Sequence, residues 1–113
     1  MKTSELTGAA LDWAVAKCEG VSVAMFADIL RVNTHETHYV FGPEYNPSTN
    51  WSQGGPIIER EKIAVDYDHD VWNATVYGQP CYFSGPTPLI VAMRCYVASK
   101  LGDEVDVPEE LKK

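Results

Sequence analysis

Two stretches of this chain, one near each end, repeat apolar residues at helical spacing, and the residues between them alternate or break the pattern. In the first, Leu11, Ala14, Val15 and Cys18 form the stripe expected to face the core. Thr7 reads as its N-cap, and Leu6 and Leu11 have the spacing of a hydrophobic staple. Gly20 is the natural left-handed stop. Trp13 falls on the opposite side, beside Ala9 and Ala16, so the helix is covered on two sides or Trp13 lines a pocket or subunit contact. The last helix runs from Pro88 to about Leu101, with Ile90, Met93, Val97 and Leu101 on one face and Gly102 as its stop. Its opening, Gly85-Pro86-Thr87-Pro88, pairs a capping threonine with a proline whose missing N–H costs nothing at the first helical position. Such a helix start is a natural place for an anionic group. Arg94 lies on the apolar side of this helix and requires an acidic partner, from the protein or from a ligand.

The middle of the chain reads as strands and one long loop. Val21 to Val32 is expected as strand, although Met25, Ile29 and Val32 also have helical spacing, and Thr37 to Phe41 is a further short β-like run. Gly42 to Pro56 is rich in Gly, Pro, Asn and Ser and is expected as an ordered functional loop with Tyr45 and Trp51 buried. Turns are expected at Asn46-Pro47-Ser48 and Gly54-Gly55-Pro56, with a short helical segment from Pro56 through Arg60. Ile63 to Tyr67 and Val71 to Tyr77 alternate and form a hairpin about Asp68-His69-Asp70. After a turn at Gly78-Gln79-Pro80, Cys81-Tyr82-Phe83 forms a last short strand, and the acidic stretch from Asp103 to Lys113 lies on the surface. The fold class is therefore α+β, a single domain in which an antiparallel sheet of three to five strands is packed by the N-terminal and C-terminal helices.

Composition narrows the functional classes. At 113 residues, 45% hydrophobic and 22% charged, the chain is an ordinary globular domain. Its net charge of −7, with nine scattered basic residues, argues against nucleic-acid binding. Cys18, Cys81 and Cys95 have no paired spacing, and the N-terminus has no signal-peptide run, so a reduced, cytoplasmic protein away from membranes is expected.

Three runs carry a family resemblance. They are Leu6 to Ala16 (LTGAALDWAVA), Trp51 to Glu61 (WSQGGPIIERE) and Gly85 to Gly102 (GPTPLIVAMRCYVASKLG). In this order they resemble the phage NinX-like family of tailed phages and prophages. The resemblance implies a phage accessory protein acting in the host cytoplasm, and it carries over no catalytic residue and no cofactor.

If the three runs meet in space, they supply a ligand pocket. Trp51 would be a stacking surface, Arg60 or Arg94 the charge, and Thr87 with nearby N–H groups the anion donors; Gly54, Gly55 and Gly85 would let backbone approach closely. The alternative pairs Arg94 with Glu59 or Glu61 inside the protein. A metal site from His35, His38 or Asp68-His69-Asp70 lacks convergent ligands. None of the cysteines has a histidine partner by spacing; Cys18 reads as packing and Cys95 as lying toward the polar side of its helix. Glu59, Glu61 and Asp66 read as solvated or paired rather than as acid–base groups. The leading expectation is a non-catalytic binding protein for a small anionic or nucleotide-like ligand, such as a sponge for a host defence signal. A protein–protein modulator of a host enzyme with an acidic surface is second, and a small nucleotide hydrolase third. Trp13 and the apolar 21–32 segment also suit a homo-oligomer.

Overall fold

A computed structural model describes residues 1–33, 41–76 and 82–112. Helix α1 (Gly8–Glu19) follows a short 3₁₀ turn over Thr3–Glu5 and ends where Gly20 takes a left-handed φ of 71°. Strands β1 (Val23–Phe26), β2 (Ile29–Asn33) and β3 (Phe41–Glu44) form one antiparallel sheet. Helix α2 (Trp51–Glu61) leads to a second antiparallel sheet of β4 (Ile63–Asp68), β5 (Val71–Val76) and β6 (Tyr82–Gly85). Helix α3 (Pro88–Leu101) closes the fold. The α+β class stands, with the strands shared between two sheets. Residues 34–40 and 77–81, and with them most of the run expected at 37–41, the 78–80 turn, His35, His38 and Cys81, lie outside the described residues.

The β1–β2 and β4–β5 hairpins turn through paired left-handed residues, the geometry that matches the twist of adjoining strands. Between β4 and β5 these are His69 (φ 54°) and Asp70 (φ 67°); between β1 and β2 they are Ala27 (φ 53°) and Asp28 (φ 65°). The pairing Val23↔Val32 and Met25↔Leu30 turns these four side chains toward the core, so the alternating reading of 21–32 wins over the helical one.

Helix α3 is the centre of the molecule. It packs against α1, α2 and all three strands of the second sheet. Leu89, Val91, Ala92, Met93, Cys95, Tyr96 and Val97 are buried, so the helix is apolar nearly all round rather than along one stripe. This corrects two expectations: Cys95 is in the core, and Leu101 is exposed. Helix α1 buries Ala10, Leu11, Ala14, Val15 and Ala16 from both sides, together with one carboxyl, Asp12. Trp13 is half-buried, with the Lys17 ammonium 5.4 Å from its ring centre.

The stretch from 42 to 56 departs most from its expected form. Only 45–50 is a turn between elements, and the helix begins at Trp51 rather than Pro56. The Asn50 side chain caps it, accepting from the Ser52 N–H at 3.0 Å. The Gly54-Gly55-Pro56 run is therefore inside α2, and Trp51 is exposed, while Tyr45 is buried as expected. The acidic C-terminal stretch is also more than surface. Its carboxylates are exposed, but Val105, Val107 and Leu111 are buried, and the Met1 backbone exchanges hydrogen bonds with Val105.

Candidate functional site

Two helix beginnings meet at one cleft. Trp51 starts α2, Thr87 and Pro88 start α3, and these three residues line a cavity of about 220 Å³ with Ser48, Thr49 and Leu89. Gly54 sets the approach of the two walls: a Cβ on it would lie 2.4 Å from the Pro47 carbonyl oxygen and 2.7 Å from Leu89 Cδ2. Trp51 is 55% exposed, so its ring is an open face rather than core.

The two helix starts are largely self-satisfied. Thr87 Oγ1 accepts from the Ile90 N–H at 3.1 Å, and its carbonyl accepts from Val91. Asn50 likewise serves Ser52, Gln53 and Gly54. Among the described residues, the N–H groups of Trp51 and Leu89 have no partner, and both residues line the cleft. Among the described residues, no charged side chain lines it.

Behind the cleft lies a buried polar pair. Ser48 is 1% exposed and Asp12 is 5% exposed. The Ser48 N–H donates to Asp12 Oδ1 at 2.8 Å. The Ser48 hydroxyl is close enough to favour the ionised carboxylate, yet it has no hydrogen-bond partner of proper geometry. Burial dominates, pushing the Asp12 carboxyl up to about 6 against the lowering by Ser48, and Glu44 adds to the rise.

The two arginines stand apart from this cleft. Arg60 is engaged within the protein: its guanidinium grips Glu19 (3.0 Å from Nη1), donates from Nε to Glu61 at 2.8 Å, and reaches the Tyr96 hydroxyl at 3.2 Å. The Arg60 contacts hold Glu19 and Glu61 below the usual carboxylate range. Burial and the neighbouring Glu19 push the Tyr96 hydroxyl up. Tyr96 also donates to Glu19, so Tyr96→Phe removes a bond to a charged acceptor and lowers stability by about 1–2 kcal/mol in urea denaturation. An unchanged midpoint would show that this network contributes nothing.

Arg94 corrects the expectation of an acidic partner in the protein. Nε donates to the Leu6 carbonyl at 2.7 Å and Nη1 to the Ser84 carbonyl at 3.5 Å, and Glu61 is taken by Arg60 and Lys100. Among the described residues no carboxylate pairs with Arg94, and burial lowers its pKa. Gly85 sits against it, with a built Cβ 3.0 Å from Arg94 Nη1. Gly55 lies in α2 beside the Trp51 ring, at 3.8 Å. The site thus gathers Trp51, Thr87 and Gly54, while Arg60, Arg94 and Gly85 serve other contacts.

A sequence model of the family described as bacteriophage P22 NinX matches residues 2–100. The chain belongs to the bacteriophage P22 NinX family. The first two runs that carry the resemblance fall inside the matched segment and the third ends two residues beyond it; together they supply α1, α2 and α3 of this NinX-family chain. No curated protein matches it. Asp12 and Ser48 are the members of the site that reading by composition and spacing passes over. Asp12 occurs at helical spacing from apolar residues, and only its position on a buried face separates it from a surface carboxylate.

Cys18 is half-buried, and burial together with Glu19 pushes its thiol up to about 11, which leaves little thiolate for nucleophilic attack. His69 is exposed beside Asp68, at 3.0 Å. Glu59 and Asp66 are exposed. Among the described residues no helix is long and apolar enough to cross a membrane.

Proposed function

We propose that this phage protein is a non-catalytic binding protein that captures a small nucleotide-like ligand in the cytoplasm of the bacterial host. The reading rests on one observation: an exposed tryptophan and the starts of two helices share a single cleft, backed by a buried, unpartnered hydroxyl. A planar base stacks on Trp51, a contact sensitive to ring area rather than to base identity. An anionic or carbonyl oxygen takes the N–H groups of Trp51 and Leu89, where both helix dipoles favour negative charge. Capture without turnover, in the manner of a sponge for a defence signal, suits a cleft lined, among the described residues, by Ser48, Thr49, Trp51, Thr87, Pro88 and Leu89.

Titration calorimetry with cyclic AMP and with ADP-ribose tests this. One-site binding in the micromolar range is expected, with Trp51→Ala weakening it about tenfold, since a base–aromatic stack contributes roughly 1–3 kcal/mol. No heat of binding for either compound overturns the proposed ligand class.

A second reading is favoured by the acidic surface. Asp103, Glu104, Asp106, Glu109 and Glu110 are all exposed along one segment, a charge array suited to a basic patch on a host enzyme. Capture of a host protein that survives Trp51→Ala but is lost when these carboxylates are neutralised would favour this reading.

A further inference from the structure

The carboxyl of Asp12 and the hydroxyl of Ser48 form a two-part element immediately behind the cleft wall. Ser48 belongs to the turn that carries Thr49 and Asn50 into α2, so its position is part of the cleft's shape. Its N–H is tied to Asp12 Oδ1, whereas its Oγ, buried just beneath the cleft wall that Ser48 helps to form, has no partner. A buried hydroxyl left unmatched costs stability unless something comes to meet it. A buried ionisable carboxyl is also an expensive choice where asparagine would accept the same bond. The two costs lie side by side, which points to shared work.

We propose that Asp12 is a positioning residue that sets, through its protonation state, which way the Ser48 hydroxyl faces the cleft. With Asp12 ionised, the hydroxyl proton turns toward the carboxylate, and Ser48 offers the cleft only acceptor lone pairs. With Asp12 protonated, the carboxyl donates to Ser48 Oγ, and the hydroxyl proton is free to donate to an anionic ligand oxygen. Capture of an anion therefore takes up one proton at Asp12, and affinity rises as pH falls. The inference rests on the cleft reading proposed above and gives it a regulation.

The surroundings permit the switch. Glu44 and Tyr45 are the titratable groups that feel the Asp12 charge, and Tyr45 is itself pushed up to about 12, chiefly by its own burial. Among the described residues no cation pairs with Asp12. The carboxyl value of about 6 places the switch between pH 5 and 7.5.

The test begins without any ligand. In amide NMR of the whole protein, the Ser48 N–H is expected to titrate with an inflection between pH 5 and 7, and Asp12→Asn is expected to abolish it. A flat Ser48 amide, or an inflection that persists in Asp12→Asn, overturns the proposal. Cyclic AMP is then the binding probe, because its phosphodiester carries the same charge throughout this range. Its affinity is expected to be at least threefold higher at pH 5.5 than at 7.5 in wild type, and equal at the two values in Ser48→Ala. Equal affinities in wild type overturn the proposal. Absence of cyclic AMP binding in wild type counts against the ligand class, whereas the Ser48 titration decides the coupling between the two side chains by itself.

Discussion

Gly54→Ala is expected to destabilise the protein by about 2–3 kcal/mol, although alanine is the better helix former by roughly 1 kcal/mol. The added methyl would sit 2.4 Å from the Pro47 carbonyl oxygen, a backbone atom that cannot swing aside, and 2.7 Å from Leu89 Cδ2. Relief requires α2 to move away from both the 45–50 turn and the start of α3. The same movement opens the cleft, so the ligand site and the fold loosen together. Gly55→Ala is the control. Its methyl meets only the Trp51 ring at 3.8 Å, and its helix gain is offset by the restriction that Pro56 places on the residue before it. Thermal and urea denaturation of the two variants should therefore differ sharply. Equal effects would mean that the close approach at Gly54 is not what holds the two helices in place.

Asp12→Asn is expected to raise stability at pH 7.5 by about 1–3 kcal/mol, the reverse of what losing a buried charge-assisted bond usually does. The carboxyl is raised from 3.8 to about 6 in the folded protein, so between these values the folded state binds more protons than the unfolded one. Its contribution is fully present below about pH 3.8 and is lost as pH rises through about 6. At neutral pH the ionised form is a cost that asparagine avoids, while the Asn oxygen still accepts from the Ser48 N–H and its amide can meet the Ser48 hydroxyl. Glu19 and Glu61, held low by Arg60, act in the opposite sense and lose their contribution as the medium is acidified through their folded range. The measurement is therefore the difference between wild type and Asp12→Asn in denaturant midpoints from pH 4.5 to 8. That difference should widen as pH rises through 6. A constant difference would show that Asp12 does not titrate in the folded protein.

The sequence pattern was a good guide wherever one local signal acted alone. The stop at Gly20, the cap at Thr87 with Pro88 behind it, and the alternation on either side of His69 each became the element their chemistry implies. Reading failed where two signals competed. Gly54-Gly55-Pro56 has the composition of a turn, but Asn50 starts the helix upstream and the packing of Gly54 against Pro47 and Leu89 supplies what propensity does not. The Ala27–Asp28 turn was hidden because alanine is a poor left-handed residue, costing roughly 1–2 kcal/mol there. At the site, Trp51 and Thr87 were legible as chemistry, but their meeting depends on tertiary packing. Arg94 shows the limit in the other direction: a half-buried cation invites a carboxylate, and here two backbone carbonyls stand in its place.

The hydrogen bonds joining Met1 to Val105 give the residues before α1 and those after α3 a common fate. The family match stops at residue 100, yet Val105, Val107 and Leu111 fill the core beyond it. Trimming the chain to the shared segment would strip a lid from α1 and leave the opening residues without a strand-like neighbour.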